Sequence, residues 1–200
     1  MLKNFLIGIP LRNFKNPMSR LENVLSVEKR IELSKAMFKN IVKSFENEET
    51  KIVCITNDEL VIDYCKNNKI ETFSTKKGGL NHELEEFLHS YEYKYWTICH
   101  ADLPYLNNFY AQEWIKGCKS SQIIICSSKD RGTPLLGGKI KIKKLMYGKN
   151  SFDNHMNIFL QENLEIKKSF NKEFSFEIDD EEDFNSFLQH RPRWSKNLQF

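Results

Sequence analysis

The sequence predicts an α/β protein with a mainly parallel mixed sheet and helices on both of its faces. Apolar runs of about five to seven residues alternate with amphipathic stretches of about ten to twenty residues as far as residue 127. That alternation produces βαβ units, whose crossover helices cover both faces of the sheet. No repeat, low-complexity tract or linker divides the chain, so residues 1–200 are expected to form one domain.

Each element of the first part is indicated by its apolar pattern and by the residues that flank it. Ser26 is placed to cap a long helix that ends at about Phe45, and Asn57 or Asp58 caps the next helix. The predicted strands are Phe5–Ile9, Lys51–Thr56, Ile70–Ser74, Tyr95–His100 and Gln122–Ser127. The predicted helices are Val27–Phe45, Glu59–Asn67, Leu80–Tyr91 and one from Asn107 or Asn108 to about Cys118.

After residue 128 the pattern changes. Lys139–Lys144 alternates like a half-exposed strand, and Ser151–Asn163 has the spacing of a helix. Phe174–Ile178 is predicted to be a further strand, and Asp180–Gln189 a final helix.

Composition excludes several classes of protein. Thirty basic residues face 27 acidic ones without a basic block, so nucleic acid is not predicted as a partner. No apolar run approaches the ~18 residues of a membrane span, and Pro10 and Arg12 interrupt the N-terminal run, which we interpret as a strand. The five cysteines lack CxxC spacing, which indicates reduced thiols in a cytoplasmic protein rather than a zinc site.

Ligands of open parallel sheets bind outside the carboxyl ends of the strands, which directs attention to the loops there. The loop after the first strand, IPLRNFKNPMSRL, contains Arg12, Lys15, Ser19 and Arg20. These groups suit phosphate binding, although a solvated basic loop would have the same composition. Neither a GxxxxGK[ST] nor a GxGxxG motif occurs in the chain.

Asp102 lies directly after a predicted buried strand, in CHADLPYL. It is either a turn residue or a ligand of Mg²⁺, which prefers one or two carboxylates together with substrate phosphates. Glu177 and Asp179 in FEIDD are the best partner acids, because alternate residues of a strand share one face.

Three further stretches admit both a structural and a functional interpretation. Gly78 and Gly79 with Asn81 form either a turn and helix cap or a close approach to a ligand. Lys129–Pro134 and Tyr147–Ser151 are either ordinary loops or anion-binding segments.

In this order, these stretches resemble the 2-phospho-L-lactate guanylyltransferase family, which includes phosphoenolpyruvate guanylyltransferases and acts in coenzyme F-420 biosynthesis. The similarity runs from about Ile7 to Phe187. It is carried by the first loop with LSxxxR after it, GLN at 79–81, ADLP at 101–104, DRGTPLL at 130–136, YGKNSFDNH at 147–155, and EID with DEEDF at 177–184. The resemblance implies a single-domain Rossmann-like α/β/α sandwich of the nucleotide-diphospho-sugar transferase type.

The resemblance also implies a reaction and a set of partners. GTP would react with a small phosphorylated carboxylic acid and release pyrophosphate, with Mg²⁺ as cofactor and without a side-chain nucleophile. The acid would be 2-phospho-L-lactate, phosphoenolpyruvate or 3-phosphoglycerate. A nucleotidyltransferase for a sugar phosphate or molybdopterin, and a non-catalytic nucleotide-binding relative, remain alternatives, and a homodimer is left open.

Site residues follow from the matched motifs. Asp102, Glu177 and Asp179 would bind the metal. Arg12, Ser19 and Arg20 would face the triphosphate, and Asp102, Arg12 and Arg20 would be catalytic. Gly79 and Asn81 would lie on the nucleotide side, and Thr133, Gly148 and Ser151 would hold the acid.

The chain departs from the family pattern at three positions. Met18 replaces a lysine in the first loop, Pro134 stands where a small or amide residue is common, and Glu177 stands where an aspartate is usual.

Overall fold

The structure is a computed structural model that describes residues 4–75 and 78–200. Residues 1–3 and 76–77 of the expected domain lie outside the described residues. Within the described ranges, seven strands form one sheet in the order β3-β2-β1-β4-β6-β5-β7. The strands are β1 Phe5–Pro10, β2 Thr50–Ile55, β3 Glu71–Phe73, β4 Tyr95–Cys99, β5 Ile123–Cys126, β6 Leu135–Gly138 and β7 Ile166–Ser169.

Strand β6 is antiparallel to both of its neighbours, and the other paired strands are parallel. The predicted α/β class with a mainly parallel mixed sheet is therefore confirmed. The helices are α1 Val27–Phe45, α2 Glu59–Asn67, α3 Leu80–Ser90, α4 Asn108–Ser120, α5 Ser151–Gln161, α6 Lys172–Ser175 and α7 Glu181–Gln189, with short 3₁₀ turns at Ser19–Leu21 and Arg193–Ser195.

Helix starts agree closely with the capping residues in the sequence. The Ser26 side chain accepts a hydrogen bond from the Lys29 N–H, and Asp58 caps α2 in the same way. Asn107, rather than Asn108, caps α4. A capping side chain satisfies one of the N–H groups that the first turn of a helix leaves unpaired, which is why these residue types mark the boundaries well.

Two predicted strands are wrong. Residues 139–144 are irregular, and the strand of this region is the preceding LLGG, β6. Glycine is rare in strands, but a Cβ at Gly137 would lie 2.5 Å from the Trp96 carbonyl, so close packing requires glycine here. Phe174–Ile178 is not a strand either: its start belongs to α6, and the sheet instead gains β7, the edge strand IKKS.

The core is divided by the sheet. Phe5, Ile7 and Ile9 on one face of β1 pack in a cluster that includes residues of α1, α2 and α4. Leu6 on the opposite face belongs to a second cluster with residues of α3 and α5. This alternation gives a three-layer α/β/α sandwich.

A third and smaller apolar cluster lies beside the first loop, residues 10–21. It joins Leu21 of that loop to the middle of α1 and to Phe184 and Phe187 of α7, and it includes Ile178. The cluster therefore fixes two segments, the first loop and residues 177–179, at the same end of the sheet. None of the helices in the described ranges is long and apolar enough to cross a membrane.

Candidate active site

The end of β4 and the segment 177–179 are joined by two hydrogen bonds. The Ile178 N–H donates to the Asp102 carbonyl at 3.2 Å. The His100 Nδ1 atom lies 2.6 Å from Glu177 Oε1. The Ile178 side chain is 2% exposed and packs in the third apolar cluster. This packing fixes the segment that makes both hydrogen bonds.

Four acids meet at this place, and we call Asp102, Asp130, Glu177 and Asp179 the carboxylate cluster. Ligand atoms of His100, Asp102 and Glu177 all lie within 4.8 Å of one another, and so do those of Asp130, Glu177 and Asp179. The structure thus brings together the three acids singled out in the sequence. The strand that was expected to align Glu177 with Asp179 does not form, and the ties to β4 align them instead.

Burial and mutual repulsion act on the cluster. Burial and the neighbouring Glu177 charge raise the pKa of Asp102 to about 8. Burial and Glu177 also raise the pKa of Asp179 to about 6, although Arg20 opposes the shift. For His100, burial lowers the pKa, but the charge and hydrogen bond of Glu177 prevail and raise it to about 9. The upward pKa shifts of both acids and of the histidine mark a site that is rich in negative charge.

One carboxylate oxygen of the cluster has no partner in the part of the chain that the structure describes. Asp102 Oδ1 is buried and makes no hydrogen bond to any described residue. Buried polar atoms are nearly always paired, so an orphaned one in a native fold needs an explanation. A divalent cation explains it, since hard cations bind carboxylate oxygens and would relieve the repulsion. The donor set therefore fits a divalent metal ion.

A cleft of about 380 Å³ opens beside the cluster. Its lining includes Asp102 and Asp179 of the cluster together with Arg12, Ser19 and Arg20 of the first loop. Arg20 Nη1 lies 3.9 Å from Asp179 Oδ1, and the Arg20 side chain is 72% exposed. The basic groups predicted to face phosphates therefore lie along the same cleft as the acids.

The first loop is held in place by Arg30 of α1. Its Nη1 atom donates to Asn16 Oδ1 at 2.5 Å and to the Pro17 carbonyl at 2.9 Å. Arg30 is buried, so these bonds are shielded from water. Met18, which replaces a family lysine, has a left-handed φ of 50° and lines the cleft. The position thus faces the cleft without a charge.

Thr133 and Ser151 are brought together by His155. The Met146 N–H donates to His155 Nε2 at 2.9 Å, so the neutral ring carries its proton on Nδ1. That Nδ1 lies 3.2 Å from Thr133 Oγ1, which also accepts from Ser151 Oγ at 3.0 Å. Of the two hydroxyl protons, one is used between Thr133 and Ser151 and the other remains available for an acceptor.

Asn81, Gly79 and Gly148 have different surroundings. The Asn81 amide makes two hydrogen bonds to the Tyr147 backbone, at 2.6 Å and 3.0 Å. Its amide is thus engaged by the protein, while the adjacent Leu80 lines the cleft. Gly79 caps α3 with φ 113°. Gly148 has φ 133°, and a Cβ there would meet no atom within 4 Å.

Sequence reasoning assigned no role to five residues that shape this region: Arg30, His100, Asp130, Tyr147 and His155. Three of them stand inside the matched motifs LSxxxR and YGKNSFDNH, and Asp130 begins DRGTPLL. His100 directly precedes ADLP. The motifs therefore carried a signal for their importance, but the partners of each residue appear only in the fold.

Comparison with known proteins identifies the family of the chain. The sequence model of a family described as guanylyl transferase CofC-like matches residues 5–197. The chain belongs to this family. A 2-phospho-L-lactate guanylyltransferase of Methanocaldococcus jannaschii is 30% identical over 192 residues, which cover 94% of this chain and 85% of the relative.

Solved structures support the fold of this guanylyl transferase. A chain described as a nucleotide-diphospho-sugar transferase from Desulfovibrio desulfuricans G20 superposes with a TM-score of 0.77 at 14% identity, covering 100% of this chain and 90% of that one. A Mycobacterium tuberculosis H37Rv chain, solved in complex with manganese, has a TM-score of 0.57 at 8% identity, with 92% and 98% covered. The predicted nucleotide-diphospho-sugar transferase type of fold and the nucleotidyltransferase class of enzyme are both confirmed.

We predict that His155 makes stability depend on pH. Burial lowers the pKa of His155 to about 4 from an ordinary value of about 6.5. As pH falls below 6.5 the unfolded chain binds this proton first, so stability is complete above 6.5 and is lost towards pH 4. The expected loss between pH 7 and pH 5 is about 2 kcal/mol.

Urea unfolding of the wild type and of His155→Gln at both pH values measures this effect. The variant should lose about 2 kcal/mol less than the wild type over the interval. His89→Gln, which changes an exposed histidine on α3, is the matched control and should follow the wild type. Equal losses in the wild type and His155→Gln would contradict the prediction.

Proposed function

We propose that the protein transfers the guanylyl group of GTP to a small phosphorylated carboxylic acid and releases pyrophosphate, with Mg²⁺ as cofactor, in coenzyme F-420 biosynthesis. The acid is 2-phospho-L-lactate, phosphoenolpyruvate or 3-phosphoglycerate. One observation carries this proposal within a family of guanylyl transferases. Asp102, with its orphaned Oδ1 atom, and Asp179 of the carboxylate cluster line the same cleft as the basic first loop.

Asp102, Glu177 and Asp179 would hold the Mg²⁺ ion. When bound, such an ion supplies positive charge that orients phosphate oxygens and stabilises the charge that develops in phosphoryl chemistry. His100 orients Glu177 through their 2.6 Å contact. This contact supports a metal role for Glu177 despite the extra methylene relative to the usual aspartate, since the side chain is fixed at one oxygen.

Arg12, Ser19 and Arg20 would bind the triphosphate of GTP in the cleft. Their donors compensate the negative charge of the phosphates, and the loop that carries them is held by Arg30. With both substrates fixed, attack of the acid's phosphate on the α-phosphorus needs alignment and charge stabilisation rather than a side-chain nucleophile. Arg12 and Arg20 are therefore proposed as catalytic residues together with Asp102.

Thr133, Ser151 and Gly148 would bind the phosphorylated acid. The available proton of the Thr133–Ser151 pair suits an anionic oxygen, and the open space beside Gly148 lets a ligand approach the backbone. Gly79 and Asn81 would lie on the nucleotide side. The side-chain amide of Asn81 is hydrogen-bonded to the backbone of Tyr147. We therefore propose that Asn81 acts on the nucleotide side indirectly, by holding the Tyr147 backbone in place.

We further propose that residues 1–200 work as one domain in the cytoplasm, without a membrane or nucleic acid as partner. All five cysteines are free and buried, which suits a reducing compartment, and the net charge of +3 is modest. A homodimer remains an expectation, and gel filtration with light scattering would test it.

We predict pyrophosphate release only when GTP is combined with one of the three acids. Purified protein with Mg²⁺ would be assayed with GTP, ATP and CTP, each crossed against the three acids and a set of sugar phosphates. Release with a sugar phosphate, or with ATP or CTP in place of GTP, would sink the proposed specificity. Absence of release from folded protein with every pair would favour a non-catalytic relative.

A second prediction concerns Asp102→Asn. The change keeps the size of the side chain and removes the ionisable carboxyl group, whose charged form burial and Glu177 destabilise. Turnover should fall on the order of 100-fold or more, while the melting temperature without metal stays equal or rises. The exposed Asp63→Asn on α2 is the matched control for charge. Retained turnover in Asp102→Asn would refute the role of Asp102.

A further inference from the structure

The hydroxyl group of Tyr147 lacks a hydrogen-bond partner within residues 4–75 and 78–200. Tyr147 is 8% exposed, and its buried hydroxyl oxygen makes no hydrogen bond to any residue that the structure describes. Buried tyrosines nearly always pair this group, because an unpaired one loses its water without compensation. Phenylalanine would fill the same space without that loss, so the hydroxyl calls for a function.

The phenol is held rigidly. The backbone N–H of Tyr147 donates to Asn81 Oδ1 at 2.6 Å, and the backbone carbonyl of Tyr147 accepts from Asn81 Nδ2 at 3.0 Å. The ring packs against His100, with centroids 5.6 Å apart, and against His155 in an edge-to-face contact at 4.9 Å. A side chain packed on two sides, on a backbone that is itself hydrogen-bonded, presents a polar group at a defined place, which is how binding sites achieve specificity.

The phenol lies beside the carboxylate cluster. Burial raises the pKa of Tyr147 well above its ordinary value, and the nearby Cys99 and Glu177 raise it further. The group therefore stays protonated at neutral pH and acts as a hydrogen-bond donor. His100 links Tyr147 to the carboxylate cluster, since its ring packs on Tyr147 and its Nδ1 atom is hydrogen-bonded to Glu177.

A phosphorylated carboxylate needs donors at this place. At neutral pH its phosphate and carboxylate oxygens act as hydrogen-bond acceptors, and the acids of the carboxylate cluster, once they hold a metal ion, would offer acceptors only. Hydroxyl donors on this side of the site come from neighbouring segments. Thr133 and Ser151 contact His155 or each other, and His155 contacts the Tyr147 ring.

We propose that the Tyr147 hydroxyl donates a hydrogen bond to an oxygen of the phosphorylated acid and helps to select that substrate. This inference rests on the proposed function and adds a residue to its acid-binding side. The carboxylate cluster does not provide this contact, because carboxylates that hold a metal ion would offer no donor, and the basic groups of the first loop are assigned to the triphosphate of GTP. Tyr147 is thus a specificity-determining group for the acid and not for GTP.

Tyr147→Phe tests the proposal, because it removes one oxygen and keeps the ring. We expect KM for the acid to rise about 10- to 100-fold, as for a lost hydrogen bond to a charged group, while KM for GTP stays within about twofold. The melting temperature should be unchanged or higher, because an unpaired buried group has been removed. Tyr110→Phe, which loses a 3.0 Å hydrogen bond to Glu173, is the matched control and should keep both KM values.

Other results would overturn the proposal. An unchanged KM for the acid would show that the hydroxyl does not bind it, and a fall in melting temperature would indicate a structural role. The Mn²⁺ affinity of both proteins, measured without the acid, shows whether the hydroxyl acts on the metal site instead. If Tyr147→Phe binds Mn²⁺ more weakly than the wild type, the hydroxyl acts on the metal side through Glu177, and the assignment to the acid is wrong.

The wild type distinguishes this proposal from the proposed function. If the wild type releases pyrophosphate, the ratio of the KM values for the acid in Tyr147→Phe and the wild type tests Tyr147 alone. If it does not turn over but binds 2-phospho-L-lactate or phosphoenolpyruvate with Mg²⁺ in calorimetry, the same fold-change in affinity for Tyr147→Phe still supports the contact. A wild type that neither turns over nor binds any of the three acids overturns the proposed function and this assignment with it.

Discussion

The contact between His100 and Glu177 is the constraint on which the site depends. Two segments far apart in sequence, the end of β4 and residues 177–179, would repel each other through their acids. The 2.6 Å contact and the hydrogen bond from Ile178 to Asp102 hold them together, and the apolar cluster around Ile178 supports both. The result is a concentration of negative charge that raises the pKa values of Asp102 and Asp179 and suits a divalent cation.

Most of the fold could be predicted from the sequence because its elements obey local rules. Apolar runs marked the first five strands, and Ser26, Asp58 and Asn107 marked helix starts through caps that the structure confirms. The two errors lie where tertiary contacts override local preference. The strand LLGG contains glycine because Trp96 leaves no space for a side chain, and IKKS is an edge strand whose lysines reach solvent.

Part of the site was also predictable from the sequence, because its acids follow a general rule about sheet edges. Asp102, Glu177 and Asp179 could be paired because ligand sites gather at the carboxyl ends of strands, although the expected strand around Glu177 does not form. His100 and Tyr147 could not be given roles from the sequence. Their importance arises from partners that are distant in the chain, or from the absence of a partner for the buried Tyr147 hydroxyl among the described residues.

The central claim is that the carboxylate cluster is a divalent metal centre. Titration of the protein with Mn²⁺, followed by electron paramagnetic resonance of the free ion, tests it without requiring turnover. We expect one Mn²⁺ ion bound per chain, displaced by excess Mg²⁺, and loss of that binding when Glu177 is replaced by Gln. Equal Mn²⁺ binding by the wild type and Glu177→Gln, or no binding by the folded wild type, would contradict it.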